Sequence, residues 1–532
     1  MHAADYVVVG AGSAGCAIAS RLSEDPSCRV VLIEAGGSNR HPNITIPAAF
    51  PKQFKTKLDW DFSSEPEPFC DNRSLYLPRG KALGGSSSMN AMLYVRGRPF
   101  DYDLWEAQGA TGWGWRDVLP YFLKAEDNSR GASEYHGAGG PLRVEDSRSP
   151  SPFAERFLKT AEEYGIPRIP DYNGPEQDGC SPVQVTQRAG RRWSSADAYL
   201  RPAMKRTNLT VVAKAQVLGI EFNGSRAVGV RYADRRGRER VAHAAEEVIL
   251  SAGAYGSPQI LMLSGIGPQA ALAEVGVDVR HDLPGVGENL QDHPYLVAIW
   301  ASSVGETLAD AEHPKYAAQW LLKREGPLST SVAEAFAFVR TRPGLPAANI
   351  QFHFAPAYFS EHGFDQSYTD HAVTFGPVLV SPKSRGWVRL RSADPTAKPR
   401  VLTNALSEPE DVESMLAGVK MSRELAATEP MRSALGEELL PGSATETDDD
   451  IIADLRRRVE LIYHPVGTCR IGQDDMAVVD PELKVRGIDG LRVADASVMP
   501  VITGGNTNAP TIMIGERAAD LIRGRVAVGA AA

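Results

Sequence analysis

The chain is poor in cysteine: Cys16, Cys28, Cys70, Cys180 and Cys469 are the only ones in 532 residues. They are odd in number, scattered, and never spaced as CxxC, so neither a zinc site nor a redox dithiol is expected. Reduced thiols in a cytoplasmic protein are the expected state. Long apolar runs are also missing, and no stretch approaches the ~18 residues of a membrane-spanning helix. Peripheral contact with an inner membrane surface is compatible with this composition. A basic excess is absent, since 57 Lys and Arg face 66 Asp and Glu, which argues against a nucleic-acid partner. The start Met1-His2-Ala3-Ala4 enters an apolar strand with no basic region before it, so no secretory leader is expected. Internal repeats and low-complexity tracts are lacking as well.

Glycine is abundant, with 49 residues, above the usual ~7% share. The first cluster is the most telling. Asp5-Tyr6-Val7-Val8-Val9 has the β-branched character of a buried parallel strand. Gly10-Ala11-Gly12-Ser13-Ala14-Gly15 follows at once, then a helical stretch from Cys16 to about Ser23. A second apolar run, Arg29 to Ile33, ends on Glu34. This is a complete Rossmann-type βαβ unit. Gly10 serves the tight turn, Gly12 lets backbone approach a pyrophosphate, and Gly15 lets helix pack on strand. Glu34, 19 residues beyond Gly15, is placed to accept hydrogen bonds from an adenosine ribose. The motif alone fits either NAD or FAD; its place at the N-terminus and the ending Glu34-Ala35-Gly36 favour FAD.

Two longer segments follow. One runs Gly80-Lys81-Ala82-Leu83-Gly84-Gly85-Ser86-Ser87-Ser88-Met89-Asn90, on to Tyr94 and Gly97. The other runs from Gly253-Ala254-Tyr255-Gly256-Ser257-Pro258 to Ser264-Gly265-Ile266-Gly267. Further blocks are Val286-Gly287-Glu288-Asn289-Leu290-Gln291-Asp292-His293, Tyr463-His464-Pro465-Val466-Gly467-Thr468, Asp495-Ala496-Ser497 and Gly505-Asn506-Thr507-Asn508-Ala509-Pro510-Thr511. In this order, and across almost the whole chain, they resemble the signature stretches of the glucose–methanol–choline oxidoreductase family.

The resemblance implies an α/β fold: a Rossmann-type FAD-binding domain with a second, α+β substrate domain on an antiparallel sheet. It implies FAD lying along Gly84, Ser88, Asn90, Ala91 and Met92, with adenine meeting the Val217 backbone. Asp495, Ala496, Asn506 and Thr511 are implied on the flavin side. A helix from about Ala509, with Pro510 in its first turn, would direct about half a positive charge at the reduced ring. The reaction implied is oxidation of an alcohol, expected to be primary, to an aldehyde by hydride transfer to flavin N5. Electrons would pass to a quinone or other acceptor. An alcohol or choline oxidase using oxygen is the alternative, and a lyase or decarboxylase on the same scaffold a more distant one.

Histidine suits removal of the hydroxyl proton because it titrates near neutrality. Of eleven histidines, His464 sits between an apolar run and a Pro-Val-Gly turn, and matches the family's active-site histidine. The second family position, 44 residues on, is Asn508, expected to donate a hydrogen bond to the substrate oxygen. Met89 stands where some relatives carry a histidine linked to flavin; methionine cannot form that link, so non-covalent FAD is expected. Glu334 aligns with a carboxylate that contacts the cation in choline-oxidising members, although a buried acid among small apolar neighbours is equally readable as a structural one.

Residues 1–150, 195–300 and 455–532 are expected to form the FAD-binding domain, and 151–194 with 301–454 the substrate-binding domain. Strands are expected at 349–354, 375–380 and 386–391, the last suggesting an antiparallel sheet with one wet face. Helices are expected at 408–428 and 447–459, and segments 39–75 and 301–315 are candidate lids.

Overall fold

The computed structural model describes residues 2–526. The expected βαβ unit forms from strand β1 (His2–Val9), helix α1 (Ser13–Leu22) and strand β2 (Val30–Glu34). Val7, Val8, Leu32 and Ile33 are buried, as parallel strands covered on both faces require. Strand β1 pairs in parallel with β2 on one side and with Glu239–Leu250 on the other, Val8 facing Leu32 and Ile249. Leu209–Ala213 extends the parallel sheet beyond β2.

The long strand Glu239–Leu250 divides its remaining edge. Its first half pairs antiparallel with Arg226–Ala233, itself the partner of Gln216–Asn223, and its last residues pair in parallel with Leu491–Val493. Seven strands result. The carboxyl ends of β1, β2, Glu239–Leu250 and Leu491–Val493 therefore open on one side, the crevice where open α/β sheets take ligands. The C-terminal helix Asn508–Ile522 packs on α1 so tightly that a Cβ on Gly515 would lie 2.8 Å from Ala14 Cα.

A second sheet of eight strands is wholly antiparallel. Its centre is Ala335–Val339, Ile350–Ala355 and Ala372–Leu379. The antiparallel sheet expected for the substrate side is present, but not with one wet face, because all residues of these three strands are buried. Helix Pro152–Tyr164 covers one face, Phe157 stacking on Phe354 at 4.9 Å. Helix Pro409–Ala426 also packs there, Gly418 against Pro377. His353 and Thr374 line the main cavity. The alternating segment near 386–391 forms only a hairpin, Trp387–Arg389 with Arg400–Leu402, outside this sheet. Pro294–Tyr295 and Glu460–Leu461, from segments expected on the cofactor side of the boundaries at 300 and 455, join the antiparallel sheet. They carry His293 and His464 to the seam between the two sheets. One hydrophobic cluster runs through both.

Candidate active site

A cavity of about 430 Å³ runs along this seam. At one end the buried Glu34 carboxylate accepts from the backbone N–H of Ala11 and Gly36, at 2.8 and 2.6 Å. Desolvation raises its pKa, opposed by these bonds and by Lys81. Ala35 and Val217 line the same end. In the middle, the turn at Gly10 has φ +98°, and a Cβ there would lie 2.4 Å from Ser251 O. The Gly85 loop comes equally close: a Cβ on Gly85 would lie 2.7 Å from Gly12 Cα.

Gly10, Gly12, Ser13, Ala14, Asn90, Ala91, Met92, Asp495, Ala496, Asn506 and Thr511 all line the cavity. Gly15, Gly84 and Ser88 stand behind the wall instead. A Cβ on Gly15 would meet Gly10 O at 1.9 Å, Gly84 N–H donates to Ala11 O, and Ser88 Oγ donates to Leu83 O. These three shape the loops without facing the cavity. Of the two candidate lids, 39–75 lines it through Phe50, Phe54, Trp60 and Phe62, whereas 301–315 contributes no lining residue.

Two helix N-termini, at Ser13 and Asn508, meet the cavity side by side. Neither has a side-chain cap or an acidic residue in its first turn, so their leading N–H groups are available to an anionic ligand. Asn506 Oδ1 is buried without a hydrogen-bond partner. A carboxylate at one end, glycine-lined backbone between, and free donors at the other suit an elongated dinucleotide such as FAD.

At the far end His464 is buried and adjoins the apolar wall of Phe50, Phe54, Tyr295, Phe359 and Tyr463. Its backbone N–H donates to Asp292 Oδ1 at 2.7 Å, and the His293 N–H donates to the same oxygen at 2.8 Å. The rings of His464 and His293 meet Nδ1 to Nδ1 at 3.0 Å. Burial holds the His464 pKa well below the usual histidine range, reinforced by His293, His353 and Arg79. Burial likewise lowers His353 and His293 to about 3 and raises Asp292 to about 7.

Asn508 lines the cavity, but its Oδ1 accepts from Ser13 Oγ at 2.8 Å and its side chain makes no hydrogen bond to His464. Asn506 does, its Nδ2 lying 3.2 Å from His464 Nε2. Glu334, expected either to contact a substrate cation or to be a structural acid, finds its partners away from the cavity. It is absent from the cavity lining; Oε2 accepts from Ser151 N–H at 2.7 Å and Oε1 from Thr330 Oγ1 at 2.7 Å. Ser151 caps helix Pro152–Tyr164, so this carboxylate faces the start of that helix. Asp292, His293 and His353 were not expected from sequence as site residues. The 286–293 block held the only signal for the first two.

The fold and cavity define an α/β protein suited to hold an elongated dinucleotide. Residues 4–295 and 382–515 match the two parts of the GMC oxidoreductase family, and the chain belongs to that family. It is similar to alcohol dehydrogenase [acceptor] of Pseudomonas putida, 44% identical over 97% of this chain and 95% of the relative. It is similar to mitochondrial choline dehydrogenase of Homo sapiens, 45% identical over 98% of this chain and 90% of the relative. Among solved structures, pyridoxine 4-oxidase from Mesorbium loti superposes with a TM-score of 0.89, at 32% identity over 98% of this chain and 100% of its own. GMC oxidoreductases are FAD-dependent, and the cavity agrees with that requirement.

Proposed function

We propose that the protein oxidises an uncharged primary alcohol to an aldehyde, with FAD bound non-covalently and electrons passed to a quinone or similar carrier. The carrying observation is His464 at the apolar end of the cavity, held neutral by its surroundings. A neutral imidazole accepts the hydroxyl proton as the carbon is oxidised. FAD, when bound, supplies the hydride acceptor. Asn508 adjoins the same region and is assigned a hydrogen bond to the substrate oxygen, with Asn506 orienting the imidazole. Phe50, Phe54 and Phe359 exclude water and favour an aliphatic or aryl body.

The choice of an uncharged alcohol rests on the acids. Among the described lining residues, Glu34 and Asp495 are the only carboxylates. Glu34 adjoins the adenosine end, and Asp495 is bonded to Gly253 N–H and Ser257 Oγ. No carboxylate is left for a quaternary ammonium group. Segments 151–194 and 301–454 carry the substrate side in this reading, and Met89, packed with Phe50 and Phe54, leaves the flavin unlinked.

The test is anaerobic mixing of the FAD-loaded protein with a panel of alcohols, followed through flavin absorbance. Re-oxidation with air or with a quinone then distinguishes the acceptors. Bleaching by neutral primary alcohols, and its loss by about 100-fold or more in His464→Ala with FAD retained, is the expected result. A flavin that no alcohol bleaches overturns the reading.

A further inference from the structure

Both nitrogens of the imidazole at 464 have a polar neighbour within hydrogen-bond reach. With the Asn506 amide Nδ2–H donated to Nε2, 3.2 Å away, Nε2 carries the lone pair. The proton of a neutral ring then sits on Nδ1, which faces His293 Nδ1 at 3.0 Å. His293 must therefore accept there and carry its own proton on Nε2. That atom is buried without a hydrogen-bond partner, near the backbone carbonyls of Thr503 and Val380. The two rings cross at 82° with centroids 5.2 Å apart, an edge-on approach suited to one linear N–H···N bond. Asp292 Oδ1 binds the backbone N–H of both histidines, which fixes the two rings relative to one another.

We infer that His293 is a positioning residue: its Nδ1 accepts the His464 Nδ1 proton and thereby keeps the lone pair on His464 Nε2, where the substrate hydroxyl takes the place of the Asn506 amide. This rests on the proposed role of His464. Without the acceptor at 293, the His464 proton is free to move to Nε2, and the ring then meets the substrate hydroxyl as a donor. The wrong tautomer at a catalytic histidine costs orders of magnitude in rate in well-studied hydrolases while leaving the geometry intact. Asp292, His353, Arg79 and Arg98 are the other titratable or charged groups acting on this pair. None of these supplies a hydrogen bond to His464 Nδ1.

Asparagine at 293 offers Oδ1 near the place of the imidazole Nδ1, whereas leucine offers only bulk. His293→Leu is expected to slow anaerobic flavin reduction by an oxidised alcohol about 100-fold or more, with FAD content and substrate Kd unchanged. His293→Asn is expected to recover at least tenfold of that loss. Nitrogen-15 NMR of histidine-labelled protein gives the tautomer directly, without turnover: His464 should be protonated at Nδ1 in the parent and redistributed toward Nε2 in His293→Leu. Equal reduction rates in parent and His293→Leu, equal losses in both variants, or a parent His464 protonated at Nε2 would each overturn the inference. Should no alcohol reduce the parent flavin, the functional proposal fails, while the NMR result still decides the tautomer.

Discussion

Replacing Glu334 by Gln separates a buried structural acid from one that meets a substrate cation. The side chain is 1% exposed and burial raises its pKa to about 7, against the hydrogen bonds from Thr330 and Ser151 that lower it. A carboxyl whose folded pKa lies above its unfolded value gives stability that is fully present below about pH 4.5 and is lost as pH rises through about 7. Taking the folded value as about 7, the loss by pH 8 is on the order of 3 kcal/mol. Glutamine removes the titration and can keep both contacts. Its Oε1 accepts from Ser151 N–H, and its Nε2 donates to Thr330 Oγ1, which has acceptor capacity left.

Thermal unfolding of parent and Glu334→Gln should accordingly diverge with pH. At about pH 4.5 the two should melt together, and by about pH 8 the variant should melt several degrees higher. The kinetic half uses choline and a neutral alcohol of similar size. With the carboxylate turned to the helix start at Ser151, the ratio of their kcat/KM values should change by less than about threefold. A direct charge contact to the cation would be worth ~1.5–3 kcal/mol, and its removal would cost choline selectively about tenfold to 100-fold. Such a selective loss, or a Tm difference that stays constant with pH, refutes the placement of Glu334.

Gly515→Ala tests the contact between α1 and the C-terminal helix. Alanine favours helix by ~1 kcal/mol, but its Cβ would meet Ala14 backbone at 2.8 Å, and overpacking costs ~1–3 kcal/mol; lower Tm and weaker FAD binding are expected, whereas a raised Tm with unchanged Kd contradicts the packing argument. Asp292, held near pKa 7 in contact with both histidines, should make kcat/KM rise as pH passes through about 7, because its ionised form stabilises a cationic His464. Asp292→Asn should flatten that profile, and an unchanged break assigns it elsewhere. Acid precipitation of the FAD-loaded protein should leave the flavin in the supernatant, and flavin retained in the pellet would contradict the non-covalent reading at Met89.

Features legible in the sequence were those whose physical cause lies within a few tens of residues. The Val7-to-Glu34 unit and the helix beginning at Asn508 each carry their strand, turn and helix signals in sequence. Tertiary pairing was the part that local pattern left open. His293 and His464 are 171 residues apart, and only the antiparallel pairing of Pro294–Tyr295 with Glu460–Leu461 brings them together. The strand Ile350–Ala355 carries the polar residues Gln351 and His353, and both are buried, at 0% and 7% exposed.

Glu334 and Asn508 show what local pattern leaves open. In each case the position along the chain was informative, but the direction of the side chain depended on a partner far away. Ser151, 183 residues from Glu334, offers a backbone donor at a helix start, and a carboxylate gains more there than facing an apolar cavity. Ser13, 495 residues from Asn508, offers a hydroxyl because α1 and the C-terminal helix begin side by side. That adjacency leaves Asn506, in the turn two residues earlier, to reach the His464 ring. The helix start thus gathers several groups at one place: Asn508 accepts from Ser13 Oγ on α1, Asn506 lies beside the His464 ring, and the leading backbone donors carry no side-chain cap.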